Sequence, residues 1–185
     1  LYAAQHGAER DAARLALLLQ ERGLGGRGED LAARLDRWNS DRSARADASR
    51  KLAERWAKVA RGLVQGAGGE APPLGVLLAE GFPDNLARSR SPTGEEWLAA
   101  GGRGLRLDPA SSLARAPWLA VGEAQGEAKG ARITGAIALD EAEVTRWLAH
   151  RIERRSTLRW VADERRVEAL LESRLGAVTL ARGPD

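Results

Sequence analysis

The sequence predicts an α+β protein, a helical bundle followed by a small antiparallel β-barrel or sandwich with one helix set among its strands. Three observations carry this. Apolar residues recur at helical spacing over the first third of the chain. A Gly/Pro-rich stretch, QGAGGEAPP at 65–73, then breaks the rhythm, and short runs separated by glycine turns follow it. The expected division is a helical unit over 1–66, a linker over 67–73 and a β unit over 74–185.

In GAERDAARLALLLQERG, Ala12, Leu15, Ala16 and Leu19 fall at i, i+3, i+4 and i+7, the stripe of an amphipathic helix. Gly23 stops it, because glycine takes the left-handed conformation past a helix end. GLGGRG is then a loop. A second helix, EDLAARLDRW, carries acids in its first turn and Leu31, Leu35 and Trp38 on one face. A third runs from about Asp41 to Val64, with Leu52, Trp56, Val59 and Leu63 as its apolar stripe. Its other faces carry Arg45, Arg50, Lys51, Arg55, Lys58 and Arg61, read first as a solvated surface interleaved with Asp47 and Glu54 and second as a phosphate track. Long helices with short connections make a bundle.

Beyond the linker, LGVLLAEG is a short helix packing Leu74, Leu77 and Leu78. NLARSR, EEWLAA, LRLD, PWLAVGEA and ARITGAIAL read as strands between turns. Asp140 caps DEAEVTRWLAHRI with Glu143 three residues on, a capping box, and Val144, Trp147, Leu148 and Ile152 form the buried face. STLRWVAD returns to a period of two, with Leu158, Trp160 and Ala162 opposite Thr157, Arg159 and Val161. RRVEALLESRLGAVTLARG suits helix or strand. Strand is preferred because AVTL needs a neighbour, and Gly176 becomes a bend in a long strand pair.

The glycines of WLAAGGRGLRLDP are read as a hairpin. A phosphate loop joins a strand to a helix whose N-terminus faces the anion, whereas here LRLD alternates after the loop and Pro109 ends the run. Gly101, Gly102 and Gly104 supply the positive φ that tight hairpin turns need, and Arg103 stands at the tip.

Composition narrows the chemistry. The 185 residues are 43% hydrophobic and 30% charged, within the globular range, with formal net charge +3 carried almost wholly by arginine. No apolar run approaches the roughly 18 residues that span a bilayer. There is no Cys, which excludes disulfides and thiolate metal sites and fits a cytoplasmic setting, and His6 and His150 stand far apart, so no metal site is expected. No GxxxxGK[ST] phosphate loop and no nucleophile elbow are present, so no catalytic residue is expected either. The absence of Met and the abrupt ends suggest a piece of a longer polypeptide.

GFPDNLARSR, WLAAGGRGLRL, PWLAVGEA and RLGAVTLAR, in this order and spacing, resemble the region after the helicase core of HrpB-type bacterial DEAH-box helicases. The resemblance covers 74–182, and over 1–66 it rests on helical pattern and position. Asn85 stands where the family more often has a basic residue, and Gly101 where it has Asn. The resemblance implies a ratchet-like helical domain followed by an OB-fold-like barrel. It also implies an accessory role in an ATP-dependent helicase, guiding single-stranded nucleic acid (RNA before DNA) and docking on the core of the same polypeptide. ATP and magnesium belong to that core, and no cofactor is expected in this chain. Arg88, Arg90, Arg103, Arg106 and Arg159, on or beside strands and at the hairpin tip, are the expected nucleic-acid contacts. The barrel tryptophans Trp97, Trp118 and Trp160 sit in apolar alternation and are expected to be mostly core. The alternative is a protein-interaction module that binds no nucleic acid.

Overall fold

The structure is a computed structural model that describes all residues except Ala67, Ala128, Ala162, Glu164 and Asp185, and excludes the side chains of Lys129 and Pro184. It is α+β as expected: α1 (Tyr2–Gln5), α2 (Glu9–Gln20), α3 (Leu31–Ser40) and α4 (Ala44–Gly62) precede α5 (Leu74–Gly81) and a five-stranded barrel.

Local chemistry fixes the helix starts. The Asp30 carboxylate accepts from the Ala33 amide at 3.1 Å and begins α3, and the Ser43 hydroxyl accepts from the Ala46 amide at 3.2 Å and begins α4. Leu31, Leu35 and Trp38 are buried on α3, as the spacing predicts. The other two stripes differ from expectation. On α2 the buried residues are Ala13, Leu15, Leu17 and Leu18, because this helix is covered on more than one side, by α3, α4 and α5. On α4 they are Ala46, Ser49, Ala53 and Ala57, while Val59 and Leu63 are 64% and 69% exposed. Small side chains let α4 lie close along α2, and that contact leaves Leu52 and Trp56 half-buried at the edge of the core and turns Val59 and Leu63 outward.

The barrel runs β1 (Leu86–Ser89), β2 (Glu96–Ala99), β3 (Gly104–Arg106), β5 (Lys129–Leu139), β4 (Trp118–Gln125) and closes back on β1. Every pair is antiparallel except β3 with β5. The barrel is therefore mixed where a purely antiparallel one was expected. Parity requires it: an odd number of strands closed in a ring must contain a parallel pair.

Side-chain alternation divides the apolar residues into two clusters. Leu119 and Val121 of β4 point into the barrel with Ala87, Trp97, Leu105 and Ile133. Trp118 and Ala120 point out, joining Ile137 and Leu139 of β5 under Leu17 and Leu18 of α2, Trp38 of α3 and Val76 and Leu78 of α5. Strand β4 is thus covered on both faces, which accounts for its unbroken apolar run. Helices and barrel share the outer cluster.

After β5, α6 (Glu141–Trp147) begins with the capping box: the Glu143 amide donates to Asp140 at 2.7 Å and the Asp140 amide to Glu143 at 2.8 Å. Val144 and Leu148 are buried, with Trp147 and Ile152 half-buried. The last strands, β6 (Glu153–Val161), β7 (Arg166–Leu175) and β8 (Val178–Pro184), form a separate antiparallel sheet in the order β6-β7-β8. The strand reading of 166–182 holds, and Gly176 lies in the turn between β7 and β8. The turn is tied to the barrel by the Ala177 amide, which donates to the Ala100 carbonyl at 2.7 Å. Trp97 and Trp118 are core, but Trp160 is 60% exposed, because it lies on this sheet where no layer covers it. Its expected neighbour Ala162 lies outside the described residues.

Candidate nucleic-acid interface

Residues 96–106 form the expected hairpin, with Glu96 opposite Arg106, Trp97 opposite Leu105 and Leu98 opposite Gly104. Of its three glycines only Gly102 needs the left-handed region, at φ +88°, and its amide closes the turn on the Ala99 carbonyl at 2.8 Å. No ligand is required to explain the loop.

The five candidate arginines occupy three places. Arg88, on β1, is half-buried: it donates to the Thr179 carbonyl at 3.0 Å and to Glu141 at 3.3 Å, and its guanidinium lies 5.4 Å from the centre of the Trp118 ring. Arg90, just past β1, is exposed and has no side-chain partner among the described residues. Both line a cavity of about 470 Å³ beside Thr179. Arg103 and Arg106 sit at the hairpin. Arg103 donates to the Gly126 carbonyl at 3.0 Å, and its buried Nε–H has no partner among the described residues. Arg106 is exposed and pairs with Glu95 at 2.7 Å. Such an exposed pair contributes on the order of 0–1 kcal/mol, so Arg106 exchanges it for another anion at little cost. Arg159 is exposed on β6, opposite Glu168, away from the barrel. The five do not form one surface.

Three further arginines went unread in the sequence. On β5, Arg132 is the register partner of Arg106, which places a second guanidinium beside the hairpin. Arg22 and Arg27 flank and occupy the loop between α2 and α3. With Arg34 and Arg132 they line a groove of about 1070 Å³ between that loop and the β4–β5 face. A signal for Arg27 was present. The tetrapeptide GGRG occurs twice, at 25–28 and 101–104, and only the second copy stood out because strands flank it.

The loop is held firmly. At Gly25, φ is +67° and an added Cβ would meet the Arg34 carbonyl oxygen at 1.9 Å, so only glycine lets the loop lie on α3. Arg37 donates to the carbonyls of Gly25 at 2.7 Å and Arg27 at 2.9 Å. Among the described residues no group of carboxylates and histidines is arranged to hold a metal ion, and no helix is long and apolar enough to cross a membrane.

This arrangement of helices, barrel and terminal sheet is found in a larger protein. The crystal structure of the E. coli DExH-box NTPase HrpB matches with a TM-score of 0.76 and 24% identity over 98% of this chain. The fold is that of one segment of HrpB. A structure of the Escherichia coli DEAH/RHA helicase HrpB matches with a TM-score of 0.71 and 24% identity over 95% of the chain. In both cases the matched part is 21% of the larger chain. No family profile matches the sequence, and no curated protein matches it in sequence.

Proposed function

We propose that the chain is an accessory region of an ATP-dependent nucleic-acid helicase, guiding single-stranded nucleic acid, RNA before DNA, past its barrel. The observation that carries this is the match of 98% of the chain to a segment of HrpB, described as a DExH-box NTPase and DEAH/RHA helicase. In support, Arg90, Arg106, Arg132 and Arg159 are exposed arginines on or beside strands. Their planar forks suit phosphate oxygens. On this reading the setting is cytoplasmic, the partner is a helicase core, and ATP and magnesium are bound there. The chain alone then turns over no ATP with or without RNA, which a steady-state assay checks.

The test is binding of a labelled single strand across a salt series. Neutralised phosphates release counterions, so affinity falls steeply with salt, and replacing Arg103 and Arg106 together by Ala should flatten the slope by roughly one unit per lost contact. An unchanged affinity and slope in the double variant would remove the hairpin from the interface.

A second reading, a protein-docking module, has its own observation. Leu158 (77% exposed) and Trp160 share one face of β6 with their β7 partners Ala169 and Val167. Replacing Leu158 and Trp160 by Ser would then abolish docking on the core and leave single-strand binding intact.

A further inference from the structure

The groove between the 23–28 loop and the β4–β5 face has features that a solvated arginine cluster lacks. Most arginines of the molecule are engaged with carboxylates or carbonyls, as Arg34 is with Glu123 at 3.4 Å and Arg151 with Glu80 at 2.6 Å. Arg22, Arg27 and Arg132 are exposed, line one groove, and have no side-chain partner among the described residues. Arg34, at the base, has a side chain only 8% exposed; it donates to Glu123 at 3.4 Å and to the Leu18 carbonyl at 3.5 Å, and its Nε–H has no partner among the described residues.

The charges in the groove are unbalanced. Four arginines face one carboxylate, Glu123, which Arg34 already engages. Glu29, at the adjoining cavity, is held by the Ser111 hydroxyl. Among the described residues no aromatic side chain lines the groove, so none of them stacks a base there. The lining therefore suits a polyanion recognised by its backbone. The groove also continues the surface named above: Arg132 is the register partner of Arg106, and Arg103 donates to Gly126, next to the groove residue Gln125.

We propose that this groove binds the phosphodiester backbone of a single strand without regard to base, with Arg22, Arg27 and Arg132 as phosphate contacts. Arg34 completes the site from below. The loop backbone, pinned by Gly25 and Arg37, holds Arg27 on the same groove that Arg132 lines, which lowers the ordering cost of binding. The inference deepens the single-strand reading above and rests on it.

The test uses the whole chain and a labelled homopolymer strand of about 12 nucleotides, between about 50 and 200 mM salt. The groove variant is Arg22→Ala with Arg27→Ala and Arg132→Ala. The matched control is Arg115→Ala with Arg154→Ala and Arg165→Ala, three exposed arginines with no side-chain partner among the described residues and outside the groove lining. The groove variant should lose about tenfold in affinity at the low-salt end, and its log–log salt slope should shrink by about two units, since each single-strand phosphate contributes about 0.7. The control should change by less than about threefold. Lysine at the same three groove positions should restore most of the slope, because charge alone drives counterion release. Circular dichroism and thermal melts identify any variant that fails to fold, and the lysine variant then decides. Equal losses in groove and control variants overturn the proposal, as does tighter binding of poly-glutamate than of the strand, which would mark an acidic protein as the occupant. If the unaltered chain binds no strand, the guiding role fails with it. If it binds and the groove variant is unaffected, the groove alone is wrong.

Discussion

Arg34 of α3 reaches Glu123 of β4 at 3.4 Å and joins the helices to the barrel below the groove. The partners differ in solvation, with side-chain exposures of 8% and 33%. Removing Glu123 therefore strands a buried cation, whereas removing Arg34 leaves a carboxylate that water reaches. Glu123→Ala should cost about 1–2 kcal/mol, less than a fully buried pair would. Arg34→Met should cost less. Denaturant midpoints of the two variants check the order, and equal midpoints would contradict the asymmetry.

The division into units over 1–66 and 74–185 remains our proposal, with a boundary that limited proteolysis can test. Gly66, Gly68, Gly69 and Glu70 are exposed and offer little to bury, so the first cut should fall there. The two pieces should nevertheless stay together under native conditions. Leu17, Leu18 and Trp38 on one side and Trp118, Ile137 and Leu139 on the other form one apolar cluster that a cut in the linker does not expose. Size-exclusion chromatography of the nicked chain reads this directly. First cleavage within 118–139 would refute the boundary.

Acid should loosen the start of α4 before its end. The Ser43 amide donates to Asp41 at 2.8 Å, and this hydrogen bond holds the Asp41 carboxyl below its ordinary 3.8. Lys51 does the same for Asp47, at 2.9 Å, aided by Arg50. A lowered folded-state pKa contributes stability above the ordinary aspartate range and loses it as pH falls through the lowered value. Both groups are fully exposed, so the effect is small and screened by salt. Melting temperature should fall between about pH 5 and pH 2, and less steeply in a variant carrying Asp41→Asn and Asp47→Asn. Parallel curves for the two proteins would exclude the contribution.

Where the chain announces structure through short-range chemistry, the sequence was sufficient. The Asp140–Glu143 capping box, the Gly102 turn and the α3 stripe at Leu31, Leu35 and Trp38 all follow from residues within one or two turns of each other. Burial on alanine was not legible. Ala46, Ala53 and Ala57 define the packed face of α4, but an alanine methyl carries too little apolar area to mark a face against Leu and Trp, so Leu52, Trp56, Val59 and Leu63 drew the stripe instead. The parallel β3–β5 pair depends on which strands close the ring, and no local pattern encodes that. Nor does a strand position say whether an arginine is free. Arg90 and Arg88 lie two residues apart, yet one has no side-chain partner among the described residues and the other is held by a carbonyl 91 residues away.

That contrast yields a prediction separating structural from binding arginines. Arg88 joins three elements: it donates to Thr179 on β8, pairs with Glu141 at the start of α6, and lies over the buried indole of Trp118. Glu141 in turn accepts from the Trp118 Nε1–H, so one carboxylate links the cation to the ring. Arg88→Ala removes the carbonyl contact, the ion pair and the ring contact together, and should destabilise the chain by about 1–3 kcal/mol. Arg88→Lys should recover little of this, since a point charge lacks the fork that reaches two acceptors while lying on the ring. Arg90→Ala should leave stability within about 0.5 kcal/mol, as for any exposed side chain without partners. Single-strand affinity should respond in the opposite order, falling for Arg90→Ala and holding for Arg88→Ala at temperatures where that variant is folded. Thermal melts and salt-dependent binding of the same two proteins check both halves. If Arg88→Ala melted like the unaltered chain and bound strands more weakly, Arg88 would be a contact and the joint would be incidental.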